Sequence, residues 1–379
     1  MPARPHITAR LTALLAAALI GSFPAAVPSY VVEGAADPPS TDRPLNDVIR
    51  DLNRQLEEHG DEPDVLNMLG EIYLGMNLAA EARRFYERVL ELDPSNPVAG
   101  RGRGRALALL QEPRMAIDQF VRVLEAHPGD TEALWYLADL YHETGQLRRA
   151  AEFYQRLVEL DPENTDVLID LGIVFLEEGR LEEAAATLER AVEREPGSLL
   201  GRLNLGMTYS QMGRFHDAVV EVNRGITANP ENPDGYRMLG ILYFEMDVFD
   251  EALRFFERAL DLNPLDSEVR VGLAIAYQAV GRTAEALAEL ERALKTEGET
   301  YDLLILMANL LVEQDKYAEA ADAATRAIEI DADRLDAHYL LGISYQAMGD
   351  QVGAEREFRE VERRAAAGSG SSPQDSIPQ

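Results

Sequence analysis

Residues 239–264 read LGILYFEMDVFDEALRFFERALDLNP. Two apolar stretches with helical spacing lie on either side of Asp247, and the second ends in a Pro that cannot continue a helix. The same layout recurs outward in both directions. Pro94, Pro128, Pro162, Pro196, Pro230 and Pro264 are each 34 residues apart. In the same register Ala82, Ala116, Ala150, Ala184, Ala218, Ala252, Ala286, Ala320 and Ala354 recur without a miss. Gly70, Gly104, Ala138, Gly172, Gly206, Gly240, Ala274, Ala308 and Gly342 form a third series. Tyr73, Tyr141, Phe175, Tyr209, Tyr243, Tyr277 and Tyr345 form a fourth, with Leu107 and Leu311 in its gaps. A fixed period of this length marks stacked structural repeats.

Each recurring place has a physical reason. The small eighth residue lets two helices approach, and the aromatic three residues later fills the space on the same face. The recurring Ala sits on a second helix, where a larger side chain would push the pair apart. Beyond each Pro, the residues Asn96, Asp130, Asn164, Ser198, Asn232, Asp266 and Thr300 are all of N-cap type. Between the two helices come Gly145, Gly179, Gly213, Gly281 and Gly349, with Asn77, Asp247 and Asp315 in other units. These types tolerate the left-handed backbone that ends a helix. The unit is therefore helix–turn–helix, repeated over 63–96, 97–130, 131–164, 165–198, 199–232, 233–266, 267–300, 301–334 and 335–368.

The pattern resembles the tetratricopeptide repeat, with Leu-Gly, Tyr, Ala, Phe and Pro at that family's spacings. The resemblance covers 306 of 379 residues. It implies an all-α fold, an α-solenoid of nine repeats in a right-handed superhelix. Three places depart from it: Gly100 and Arg103 replace Leu-type residues, Gly298 replaces a Pro, and Ala332 and Ala366 do the same in the last repeats. A terminal repeat lacks a neighbour, so both ends need a polar cover. Residues 37–62 supply a linker and a capping helix with the stripe Leu45, Val48, Ile49, Leu52 and Leu56, and residues 369–379 read as a disordered tail.

Residues 1–36 have the order of a secretory signal peptide: Arg4 and Arg10, the apolar run LTALLAAALIGSF, then small residues and Pro in PAAVPS. The expectation is export to the periplasm or beyond, with an uncleaved, membrane-tethered form as the alternative. No stable membrane span is expected after cleavage. The net charge of −31 opposes binding to nucleic acid or anionic membranes. Only Lys295 and Lys316 are lysines, a bias that fits either high-salt surroundings or GC-rich coding. Without Cys, disulfides, thiol catalysis and thiolate metal sites are excluded.

One stretch looks foreign to this regularity. GRGRGRALALL at 100–110 alternates Gly and Arg in an acidic chain. Gly104 is nevertheless the eighth residue of its repeat, which puts the tract on a helix and excludes a phosphate loop. Arg101 and Arg105 are four apart and share a face, either solvated and paired with nearby acids or forming a seat for an anionic group. Tetratricopeptide geometry makes places 5, 9 and 12 of each first helix concave. Besides Arg101 and Arg105, that face carries Trp135, Asp139, Ile169, Ile173, Leu203, Met207, Arg237, Ile241, Phe244 and Ile275. A contiguous exposed apolar strip marks an interaction site, whereas packing between repeats would bury part of it. Acids at the second place (Asp64, Glu132, Asp166, Asp234, Glu268, Asp302 and Asp336) form a groove rim or simply complement the helix dipole.

Catalysis finds little support. Trp135, Asp139, His142 and Glu143 share a helical face, but no nucleophile or second His accompanies them, so Trp135 reads as a binding anchor. No loop has calcium-ligand spacing, and no cofactor or metal is implied. The reading is a non-catalytic scaffold that holds a peptide or protein segment in an apolar concave groove. A self-assembling structural protein (a homo-oligomer) and an accessory subunit of an envelope enzyme or secretion complex are the alternatives.

Overall fold

The structure, a computed structural model, describes residues 45–368. The leader at 1–36, the first part of the linker and the tail at 369–379 lie outside the described residues. All the described secondary structure is helical. A lone helix, α1 (Leu45–His59), precedes the pairs. Repeat 1 holds α2 (Pro63–Gly75) and α3 (Ala79–Leu92), and repeat 2 holds α4 (Pro97–Leu109) and α5 (Pro113–Ala126). Repeat 3 holds α6 (Thr131–Glu143) and α7 (Leu147–Leu160), and repeat 4 holds α8 (Thr165–Glu177) and α9 (Leu181–Arg194). Repeat 5 holds α10 (Leu199–Gln211) and α11 (Phe215–Ala228), and repeat 6 holds α12 (Pro233–Glu245) and α13 (Phe249–Leu262). Repeats 7 to 9 hold α14 (Ser267–Ala279) and α15 (Thr283–Glu297), α16 (Tyr301–Glu313) and α17 (Tyr317–Ile330), and α18 (Leu335–Met348) and α19 (Gln351–Gly368). The chain forms two compact units that divide between Arg214 and Phe215, inside repeat 5.

Local chemistry fixes the helix starts. The side chains of Asn96, Asp130, Asn164, Ser198, Asp266 and Thr300 each accept from the amide three residues on, at 2.8 to 3.4 Å. Asn232 accepts from Asp234 N at 2.8 Å. One otherwise orphaned N–H is satisfied each time. The turns inside the repeats are left-handed at Gly145, Gly179, Gly213, Gly281 and Gly349 and at Asn77, Asp247 and Asp315. Repeat 2 puts Gln111 there with φ 60°, a residue whose type gives no sign of that conformation.

Packing within a repeat follows from the eighth place. A methyl group added at Gly104 would come within 2.6 Å of the Phe120 ring, and one at Gly240 within 2.6 Å of Phe256. The first helix therefore rests directly on the ring of the second. The neighbouring aromatics stack, Tyr73 on Phe85 and Tyr243 on Phe255, both with centroids 5.3 Å apart. At the N-terminal end Leu52 is buried with Val65 and Leu69, and Val48, Ile49 and Leu56 pack against them.

Candidate functional site

The first helices of repeats 2 to 4 carry partly buried charged groups. The Gly-Arg tract lies on α4, and its glycines serve packing. Tyr86 from α3 occupies the space a side chain at Gly102 would need, as Phe120 does at Gly104. Its arginines face acids. Arg101 Nη1 donates to Asp130 Oδ2 at 2.5 Å, while its Nε lies 2.7 Å from Glu132 Oε2, an ion pair without hydrogen-bond alignment. Arg103 donates to Gln119 at 2.6 Å and to Glu87 at 3.3 Å. Arg105 donates to both carboxylate oxygens of Glu71 at 3.1 Å, and Tyr86 donates to the same carboxylate at 2.7 Å. The tract is internally neutralised, so it offers no seat for a foreign anion.

One repeat further on the balance reverses. On α6 and α8, Trp135 Nε1 donates to Asp170 Oδ2 at 3.4 Å, and His142 Nε2 meets Glu177 Oε2 at 2.8 Å. Asp139 has no hydrogen bond or ion pair among the described residues, and no Lys or Arg pairs with Asp170 there. Burial pushes Asp170 up to about 7, and the carboxylates of Asp139 and Asp166 add to this against the Trp135 bond. Burial, helped by Glu143, raises Asp139 to about 6. The hydrogen bond to Glu177 raises His142. Beneath them Tyr154 is buried and its hydroxyl is held protonated, first by burial and then by Asp170, Asp139 and Glu143.

The comparisons identify the array. A family model described as the cilia and flagella-associated protein 70 C-terminal domain, built of tetratricopeptide repeats, matches residues 98–340, well over half of the chain. A single tetratricopeptide-repeat model matches residues 63–96. The chain belongs to this tetratricopeptide-repeat family. Its fold is similar to that of a tetratricopeptide repeat protein from Parabacteroides merdae, at 18% identity and a TM-score of 0.54, over 68% of this chain and 98% of that one. It is also similar to the APC/C hetero-tetramer Cut9–Hcn1, at 18% identity and a TM-score of 0.50, over 79% of this chain and 59% of that one. No curated protein matches the chain.

The tetratricopeptide-repeat packing corrects the expectation of an exposed apolar strip. Ile169, Leu203, Met207, Ile241 and Ile275 are only 3%, 2%, 8%, 7% and 4% exposed, and Trp135 is buried too. First helices of neighbouring repeats touch at α2–α4, α4–α6, α8–α10, α12–α14 and α16–α18, so this face is packed rather than open. Ile173 and Phe244 stay half-buried. Arg237 is buried and donates to Glu268 at 3.1 Å and to Asp234 at 3.3 Å. The groove acids at the second place thus have a second use beside the dipole: Glu132 faces Arg101 and Glu268 faces Arg237, each 31 residues on.

Sequence reasoning missed Asp170 and Glu177, which stand at places 6 and 13. The signal is a spacing of 35. Trp135 to Asp170, His142 to Glu177 and Gln278 to Glu313 are all 35 residues apart and all hydrogen-bonded. Each contact climbs one repeat and one place. Among the described residues no group of His, Asp and Glu could hold a metal ion, and no helix is long and apolar enough to cross a membrane.

Proposed function

We propose that this protein is a non-catalytic scaffold that holds a polypeptide segment against α6 and α8, and that the segment bears a positive charge. Family membership supports the scaffold reading. The observation that carries the rest is the pair Asp139 and Asp170, two partly buried carboxyls raised to about 6 and about 7 with His142 nearby but no Lys or Arg paired with them among the described residues. A buried charge without a counter-ion is costly, and a Lys or Arg from outside would remove that cost. Half-buried Ile173 and half-buried Tyr136, whose ring centroid lies 5.0 Å from that of buried Trp135, supply apolar contact beside the acids.

Random peptides displayed on a surface and selected on the purified protein test this reading. Binders enriched in Lys and Arg that lose about tenfold or more in affinity on Asp139→Asn/Asp170→Asn support it. Binders without a basic bias, or ones indifferent to the double variant, overturn it. Export through residues 1–36 belongs to the same proposal, motivated by that leader-like stretch. A cytoplasmic protein that retains Met1 would remove it.

A further inference from the structure

A cleft of about 340 Å³ opens between α3, α4 and α5 at Gly100, the fourth residue of repeat 2. That volume lies near the lower end of small-ligand sites. Other repeats of the same chain fill the corresponding place from within. The fourth residue of repeat 5, Arg202, donates to the carbonyl of Pro196 at 2.7 Å, and that of repeat 7, Arg270, to Pro264 at 2.6 Å. Tyr236 in repeat 6 donates to Pro230 at 3.1 Å, and His338 in repeat 9 lies 3.3 Å from the Ala332 carbonyl. In every case the acceptor is six residues back. Six residues before Gly100 stands Pro94, on the cleft wall, and no donor reaches its carbonyl among the described residues. In repeats 3 and 4, where the fourth residue is Leu, Arg156 and Arg190 serve that carbonyl instead. Arg122, their counterpart, lines the cleft of repeat 2 and makes no such bond.

The geometry points to a tyrosine side chain of a partner polypeptide as the occupant. Charge selects among the internal precedents. Arg270 is matched by Glu289 at 2.8 Å and His338 by Glu357 at 2.7 Å, both nineteen residues on. Nineteen residues after Gly100 stands the neutral Gln119, already accepting from Arg103. A cation would lack a carboxylate at that place: the cleft's own acids, Glu87 and Glu91, stand on the α3 wall, and Glu87 is already held by Arg83 and Arg103. The phenol of repeat 6 asks for less. Tyr236 needs the carbonyl and one arginine, Arg258, whose guanidinium lies 5.6 Å from the ring centroid. Arg258 is twenty-two residues after Tyr236, and Arg122 is twenty-two after Gly100. An incoming tyrosine would place its ring under Arg122, between Leu90 and Val123, and donate its hydroxyl to the Pro94 carbonyl.

The residues used here are separate from those of α6 and α8, so this inference stands or falls apart from the scaffold's charged face. Saturation-transfer NMR on the full chain with N-acetyl-tyrosinamide, N-acetyl-phenylalaninamide and N-acetyl-argininamide tests it. The tyrosine probe is expected to bind about fivefold tighter than the phenylalanine probe, the value of one net hydrogen bond. Arg122→Ala, at an exposed position, should weaken it about threefold through loss of the cation–π contact. Gly100→Leu should abolish binding by filling the cleft. A methyl group there comes 2.5 Å from Val123, so that variant counts only if its circular dichroism is native, and Arg122→Ala decides otherwise. Equal binding of the tyrosine and phenylalanine probes, stronger binding of the arginine probe, indifference to Arg122→Ala, or no binding at all would each overturn the inference.

Discussion

The faces of α4 and of α6–α8 are adjacent in sequence, built to the same plan, and opposite in electrostatic outcome. On α4 every arginine of the Gly-Arg tract has an acid or amide within reach, and the Arg105–Glu71–Tyr86 arrangement is closed on itself. On α6 and α8 two carboxyls sit half-buried with one long hydrogen bond from Trp135 between them. The difference teaches that alarming composition and chemical demand are separate matters. A run of arginines that looks like a binding site is satisfied, and a pair of ordinary aspartates is not.

The largest expected effect comes from breaking the satisfied side. Arg101→Met leaves Asp130 and Glu132 facing each other without their cation, and their side chains are only 9% and 23% exposed. A loss of about 2 kcal/mol in urea unfolding is expected, below the range for a wholly buried pair because the site is still wetted. A change within experimental error would mean that the α4 network contributes nothing to stability.

The unsatisfied side should respond with the opposite sign. Because Asp170 is raised to about 7 from an ordinary 3.8, its contribution favours the folded state fully below pH 4 and is lost as pH rises through 7. Asp170→Asn removes that dependence. The variant should be more stable than the native chain by about 1 kcal/mol at pH 8 and no more stable at pH 4. A variant less stable at both pH values would show that the carboxylate is useful to the fold, and the contrast between the faces would collapse.

A smaller effect sharpens the comparison at its edge. His142 is raised mainly by its hydrogen bond to Glu177, so the pair stabilises the fold at low pH and ceases to as pH rises through the raised value. Glu177→Gln should move the His142 titration midpoint downward in NMR. The accompanying stability change should stay within about 0.5 kcal/mol, since Glu177 is well exposed and solvent screens the pair. An unmoved midpoint would assign the shift to some other neighbour.

The helical frame was legible because its determinants are local. Asn96 caps α4 whatever lies elsewhere, and Gly145 turns left-handed because it lacks a Cβ. Gln111 was not legible, since nothing in a glutamine announces φ 60°, and repeat 2 holds that turn by its surroundings alone. The site was legible only in part for a geometric reason. Reading places 5, 9 and 12 treats each helix as a separate surface, yet Met207 and Ile275 are buried. The residues that matter beside Trp135 and His142 stand one place further on in the next repeat, where a ruler of 34 does not look.

The spacing rule has a kinetic consequence. Several hydrogen bonds between neighbouring repeats span 35 or 36 residues, as from Ala337 N to Tyr301 Oη. Such bonds reach only one or two residues beyond a single repeat length of 34, and loop-closure entropy is about the same small quantity at every step. Chains with contacts this local fold fast for their size, and nucleation can begin in any pair of neighbouring repeats. During synthesis each repeat can bury its face as soon as its successor emerges, so the length of unprotected apolar chain at any moment stays near that of a single repeat.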